Sequence, residues 1–172
     1  MEVSVEMIKE LRFQTGAGIM DCKRALEEGD GDFDKAQELL REQGIEAAAK
    51  KLSRVTDQGA VEAYIHSGGR IGAMVEVNCE TDFVARTPEF KSLAHDLAMQ
   101  VAAMSPIYVD SSDIPEGDDV DPQVVCLMQQ PYIKDPTRAI KDLVMEGVSK
   151  LGENVKIRFE SIWLTAYSKF FT

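Results

Sequence analysis

The chain has 172 residues, enough to bury a sizeable core and too few for a large multidomain assembly. With 19 basic against 30 acidic side chains, the formal net charge is −11, a field that repels phosphate backbones and argues against direct nucleic-acid binding. Hydrophobic residues at 44% and charged residues at 28% exclude wholesale disorder and collagen-like or mucin-like composition.

No window approaches the roughly 18 consecutive apolar residues of a membrane span. Residues Met1 to Glu6 lack the basic flank and apolar run of a signal peptide. The expectation is a cytoplasmic protein with no membrane partner. Cys22, Cys79 and Cys126 are odd in number and widely spaced, which fits neither a disulfide framework nor a zinc cluster, so they are read as small, reduced, buried residues.

Three short helices are predicted first. Ser4 caps a helix with Val5, Ile8 and Leu11 on one face, and Thr15-Gly16-Ala17-Gly18 breaks it. A second helix runs from Ile19 to Glu28 and ends at Gly29. A third is capped by Asp32, spaces Ala36, Leu39 and Leu40 for burial, and continues through Ala47, Ala48 and Ala49.

The period then changes to two. Val61, Ala63 and Ile65 share one face of a strand; after Ser67-Gly68-Gly69-Arg70, Ile71, Ala73, Val75 and Val77 repeat the pattern, predicting a hairpin. Thr87-Pro88 starts a helix whose stripe of Phe90, Leu93, Ala94, Leu97, Ala98 and Val101 should cover one hairpin face. Asp110 to Asp121 is acidic, interrupted by Pro115 and Gly117, and reads as an exposed loop. Helices follow over Gln123 to Gln130 and Thr137 to Leu151, the latter closed by Gly152. Val155, Ile157 and Phe159 alternate with Lys156, Arg158 and Glu160 as a third strand, which completes an α+β fold of helices packed on a small antiparallel sheet. The aromatic tail, Trp163, Tyr167, Phe170 and Phe171, is expected at a core edge or a dimer surface.

Tests for chemistry return little. There is no glycine-rich phosphate loop, and neither His66 nor His95 lies in a metal-binding or nucleophile motif. Asp30, Asp32 and Asp34 mimic the start of a calcium loop, but Lys35 and Arg41 occupy the positions that need glycine and a bidentate glutamate. Helix capping is the better reading. The reading is therefore of a non-enzymatic protein with no metal and no cofactor. One segment stands apart: in Asn78-Cys79-Glu80-Thr81-Asp82-Phe83-Val84-Ala85-Arg86 the alternation stops, and an aromatic sits among polar groups just before a helix cap. Phe83 either packs inward or is presented on a strand-to-helix turn as an interface anchor.

Glu80 to Arg86 resembles the signature of the bacterial elongation factor Ts family. Leu11-Arg12 with Thr15 to Leu26 is similar to that family's N-terminal motif, and Gln130 to Asp135 followed by Lys150 to Val155 is similar to its distal half. The resemblance implies a UBA-like three-helix domain over residues 1–54 and a core, dimerisation domain over 55–172. It further implies a guanine nucleotide exchange factor in translation elongation, whose partner is elongation factor Tu in its GDP-bound and nucleotide-free forms. Positions matching Thr81, Asp82, Phe83 and Val84 would dislodge Mg²⁺ from that GTPase, and Arg12, Ile19 and Met20 would hold it through the N-terminal module. Ile19 stands where the family often has methionine. The chain has a single core and no coiled-coil insertion, which in this family implies a homodimer. The alternative is a UBA-type interaction module serving another partner.

Overall fold

The computed structural model describes residues 3–158; Phe159, Glu160 and the aromatic tail lie outside the described residues. Local capping chemistry sets the first helices. Ser4 Oγ accepts the Met7 N–H at 3.2 Å to open α1 (Val5–Thr15), and Gly16, at a left-handed φ of 71°, closes it by donating its N–H to the Arg12 carbonyl. Next come α2 (Ile19–Glu28) and α3 (Phe33–Ala49), the latter capped by Asp32, whose Oδ1 accepts the Asp34 and Lys35 N–H groups. The acidic cluster there is thus a helix cap. Leu11, Cys22, Ala25, Leu26 and Ala36 form a small hydrophobic cluster of their own among these helices.

The larger core lies between a sheet and two long helices. Strands β1 (Gln58–Ile65) and β2 (Gly72–Cys79) form the antiparallel hairpin, turned through Gly68 and Gly69, both at positive φ. After the single-turn helix α4 (Asp82–Ala85) comes α5 (Pro88–Met104), whose predicted stripe is buried throughout and packs on the hairpin. At the opposite end of the hairpin no side chain fits on Gly59: a Cβ there would collide with the Val77 carbonyl oxygen and stand 2.8 Å from the Asn78 Cα.

Register decides which side of β1 faces inward. Ala60, Glu62 and Tyr64 pair with Val77, Val75 and Ala73 on the face under α5, which leaves Val61, Ala63 and Ile65 opposite Glu76, Met74 and Gly72 on the other. The apolar side of β1 is therefore exposed, Val61 by 65% and Ile65 by 71%.

The distal half departs from the sequence expectation in two places. In place of one helix from Gln123 to Gln130 there is α6 (Pro122–Val125), an extended Cys126, and a 3₁₀ turn over Leu127–Gln129. The break occurs because the chain at 126–128 bonds sideways, Leu127 and Met128 donating their N–H groups to the Tyr108 and Val109 carbonyls. Residues 137–139 are strand rather than helix: β3 (Pro131–Tyr132) pairs with β4 (Asp135–Ala139), and α7 (Ile140–Leu151) begins only where Asp142 accepts the Ala139 N–H. Strand β5 (Lys156–Arg158) then joins β2, giving the sheet order β1-β2-β5. Asp110 to Asp121 is largely exposed, with a 3₁₀ turn at Ser111–Asp113 capped by Asp110.

Candidate functional site

Where β2 ends, Thr81 leaves the sheet with an extended backbone and caps α4, its Oγ1 accepting the Val84 N–H at 3.4 Å. One helical turn then sorts four side chains. Val84 and Ala85 face the core, while Asp82 and Phe83 face outward, and the Phe83 ring is 78% exposed. Of the two placements open to Phe83, the structure takes the presented one. Val84, grouped by sequence with the outward residues, is instead buried against the core, 8% exposed, so it anchors the turn and offers little free surface. Asp82 and Arg86 form an exposed ion pair of 2.8 Å on the same turn, a contact worth little in stability.

The turn is clasped from a distance. Glu153, just past the C-terminus of α7, accepts the Glu80 N–H at 3.1 Å and the Thr81 N–H at 3.0 Å through Oε2, and the Thr81 hydroxyl at 2.7 Å through Oε1. Glu80 returns the bond, accepting the Asn154 N–H at 2.7 Å, and lies 3.4 Å from the Arg54 guanidinium. Asn154 is fully buried and donates through Nδ2 to the Leu52 and Arg54 carbonyls. Below the turn, the Cys79 thiol donates to the Thr81 carbonyl at 3.1 Å; burial first, then the Glu153 charge, pushes that thiol's pKa up. All three cysteines are buried and free.

Arg12, Ile19 and Met20 decorate the small helical cluster instead. All three are exposed around the α1–α2 turn, because Leu11 and Cys22 take the inward positions on either side. Phe13 is a further exposed aromatic on α1, two residues beyond Leu11 and so on the opposite side of the helix. Sequence reasoning missed it, and it noted Glu153 and Asn154 only within the family-like block Lys150 to Val155, without a role; an apolar residue out of phase with the inward stripe was the available signal for Phe13.

Other features are occupied by ordinary packing. His66 Nδ1 lies 3.0 Å from the Tyr64 hydroxyl, and His95 Nδ1, on α5, lies 3.0 Å from Glu62 of β1. A groove of about 730 Å³ between the α1–α2 turn, α3 and α7 is lined in part by paired charges, Arg41 with Glu38 at 2.7 Å and Arg24 with Asp21. Among the described residues no group of three His, Cys, Asp or Glu is arranged to hold a metal, and no helix is long and apolar enough to cross a membrane.

An aromatic ring displayed beside charged groups, on a turn clasped to the end of a core helix, has the build of a protein-contact surface on an α+β scaffold. Comparison with known proteins places the chain in a family. The family model for elongation factor Ts matches residues 25–118. The elongation factor Ts of Carboxydothermus hydrogenoformans is 49% identical over 91% of this chain and 86% of its own length. That of Thermoanaerobacter sp. strain X514 is 47% identical over 91% of each chain, and that of Thermotoga maritima is 45% identical over 91% of this chain and 93% of its own. The chain belongs to the elongation factor Ts family, one of the translation elongation factors.

Proposed function

We propose that this chain is a guanine nucleotide exchange factor for elongation factor Tu: it binds the GDP form, displaces Mg²⁺ and promotes GDP release. The observation that carries the reading is the Phe83 ring, exposed on a turn whose backbone is held by Glu153. A ring so presented is a wedge. Burying a phenylalanine on a partner is worth about 1.5–3 kcal/mol, and each 1.4 kcal/mol is about tenfold in an equilibrium constant.

Linkage supplies the mechanism. A factor that binds the nucleotide-free GTPase more tightly than the GDP form must weaken GDP by the same ratio, and no covalent step is needed. Mg²⁺ bridges nucleotide phosphates to protein ligands, so dislodging it removes an attraction that retains GDP. In this reading Phe83 wedges beside the nucleotide site, with Thr81 and Asp82 in polar contact and Val84 anchoring the turn. Arg12, Ile19 and Met20 hold the same GTPase through a UBA-like domain, residues 1–54, joined to a core domain, 55–172. The factor works in the cytoplasm as a homodimer, for which the exposed sheet face around Val61, Ile65 and Met74 offers a surface.

Phe83→Ala is expected to fold as the parent does and to slow release of a fluorescent GDP derivative from elongation factor Tu by about tenfold or more. Release at the parental rate would refute the proposal. The exposed residues of α1 and α2 also allow a UBA-type module for another partner; binding of ubiquitin by the chain, with no effect on GDP release, would favour that reading instead.

A further inference from the structure

We infer that Glu153 is a positioning residue for nucleotide exchange: it fixes the turn that aims Phe83, although it lies 72 positions from Thr81 in the chain. The inference rests on the exchange reading above.

Hydrogen bonding makes the case. The Thr81 hydroxyl has one hydrogen bond to donate, and the Glu153 carboxylate rather than solvent receives it. Glu153 Oε1 accepts that bond at 2.7 Å, which leaves a hydroxyl lone pair turned toward the Val84 N–H to cap α4. The other carboxylate oxygen takes the two backbone N–H groups of Glu80 and Thr81, where the chain changes from strand to helix. All three bonds have an ionised acceptor, the stronger kind. They orient the turn that sends Val84 inward and Phe83 outward.

Glu153 is itself placed from behind. Gly152 closes α7 in the left-handed region at φ 75°, and the Asn154 N–H is taken by Glu80 at 2.7 Å. The turn bearing Phe83 and the turn bearing Glu153 therefore each supply the carboxylate that holds the other's backbone. Since α7 packs on both α3 and α5, the ring is braced against the core rather than against its own loop.

The test titrates full-length Glu153→Ala, Glu153→Gln and Phe83→Ala proteins against elongation factor Tu loaded with a fluorescent GDP derivative, and reads the plateau release rate and the half-saturating concentration separately. A mis-aimed wedge lowers the plateau. A partly unfolded factor only lowers the active concentration, which raises the half-saturating concentration and spares the plateau.

Glu153→Ala is expected to lower the plateau about tenfold with the half-saturating concentration within about twofold of the parent. Glu153→Gln, which keeps an acceptor oxygen, is expected to fall between the two. A slow Phe83→Ala beside a Glu153→Ala with a parental plateau would overturn the positioning role while leaving the exchange reading intact. Parental release by Phe83→Ala would overturn both. Should Glu153→Ala not fold, a lowered plateau in Glu153→Gln supports the role and a parental plateau overturns it.

Discussion

Gln100 on α5 and Gln130 at the start of β3 face each other with both side chains sealed from solvent, the Gln100 Nε2 donating to the Gln130 Oε1 at 3.2 Å. The same Gln100 amide donates to the Pro131 carbonyl and accepts the Ile133 N–H at 3.0 Å, while Gln130 donates to the Val124 carbonyl at 2.8 Å. Two amides thus satisfy the irregular backbone that joins α6 to β3.

Replacing Gln100 by leucine preserves bulk and strands those groups. Gln100→Leu is expected to lower unfolding free energy by roughly 2–5 kcal/mol, because each buried group left unpaired costs about 1–3 kcal/mol. Urea denaturation measures this; a loss below about 0.5 kcal/mol would mean that water reaches the site.

Stability should decline on the alkaline side. Burial raises the pKa values of Cys79, Cys126 and Tyr132, and the hydrogen bond from Lys134 to Asp96, 2.6 Å long, raises that of Lys134. In each case the fold favours the protonated form, so the unfolded chain loses its proton first. The stabilisation is complete below the unfolded values and is lost as pH climbs through the folded ones, beginning near the ordinary thiol value of about 8.5. The urea midpoint is expected to fall between pH 8 and 10.5, roughly the range from the thiols to Lys134. A midpoint constant across that range contradicts the prediction.

The exposed face of β1 sets a third expectation. Ile65→Asp places a charge on the proposed homodimer surface, at its end beside the hairpin turn, where burial of an isoleucine is worth about 1.5–3 kcal/mol, so the dimer dissociation constant should rise by about tenfold or more. Sedimentation equilibrium of parent and variant reads it directly. A monomeric parent at tens of micromolar, roughly the range of weak dimers, would remove the homodimer from the account.

Features governed by neighbours in sequence were legible. Ser4, Asp32 and Thr87 open helices because a cap needs only the next three residues, and the stripe from Phe90 to Val101 announces its own buried side. Features governed by distant partners were not. Residues 137–139 differ from a helix start only because Pro131 and Tyr132 lie alongside, and Val61 and Ile65 face outward only because the hairpin register assigns them there. The segment Glu80 to Arg86 stood out in the sequence, and Glu153 lay in the family-like block Lys150 to Val155, yet no local pattern tells that this carboxylate, beyond α7, holds a turn 72 positions away.

Asn154 reaches further than the turn it belongs to. Its side-chain amide grips the Leu52 and Arg54 carbonyls at 3.1 and 2.8 Å, the stretch by which the chain leaves the first three helices. A tether pinned at that point keeps the span between Met20 and Phe83 short of slack. A partner that engages one end would meet the other at high effective concentration, and so gain avidity that a loose connection of equal length would dissipate.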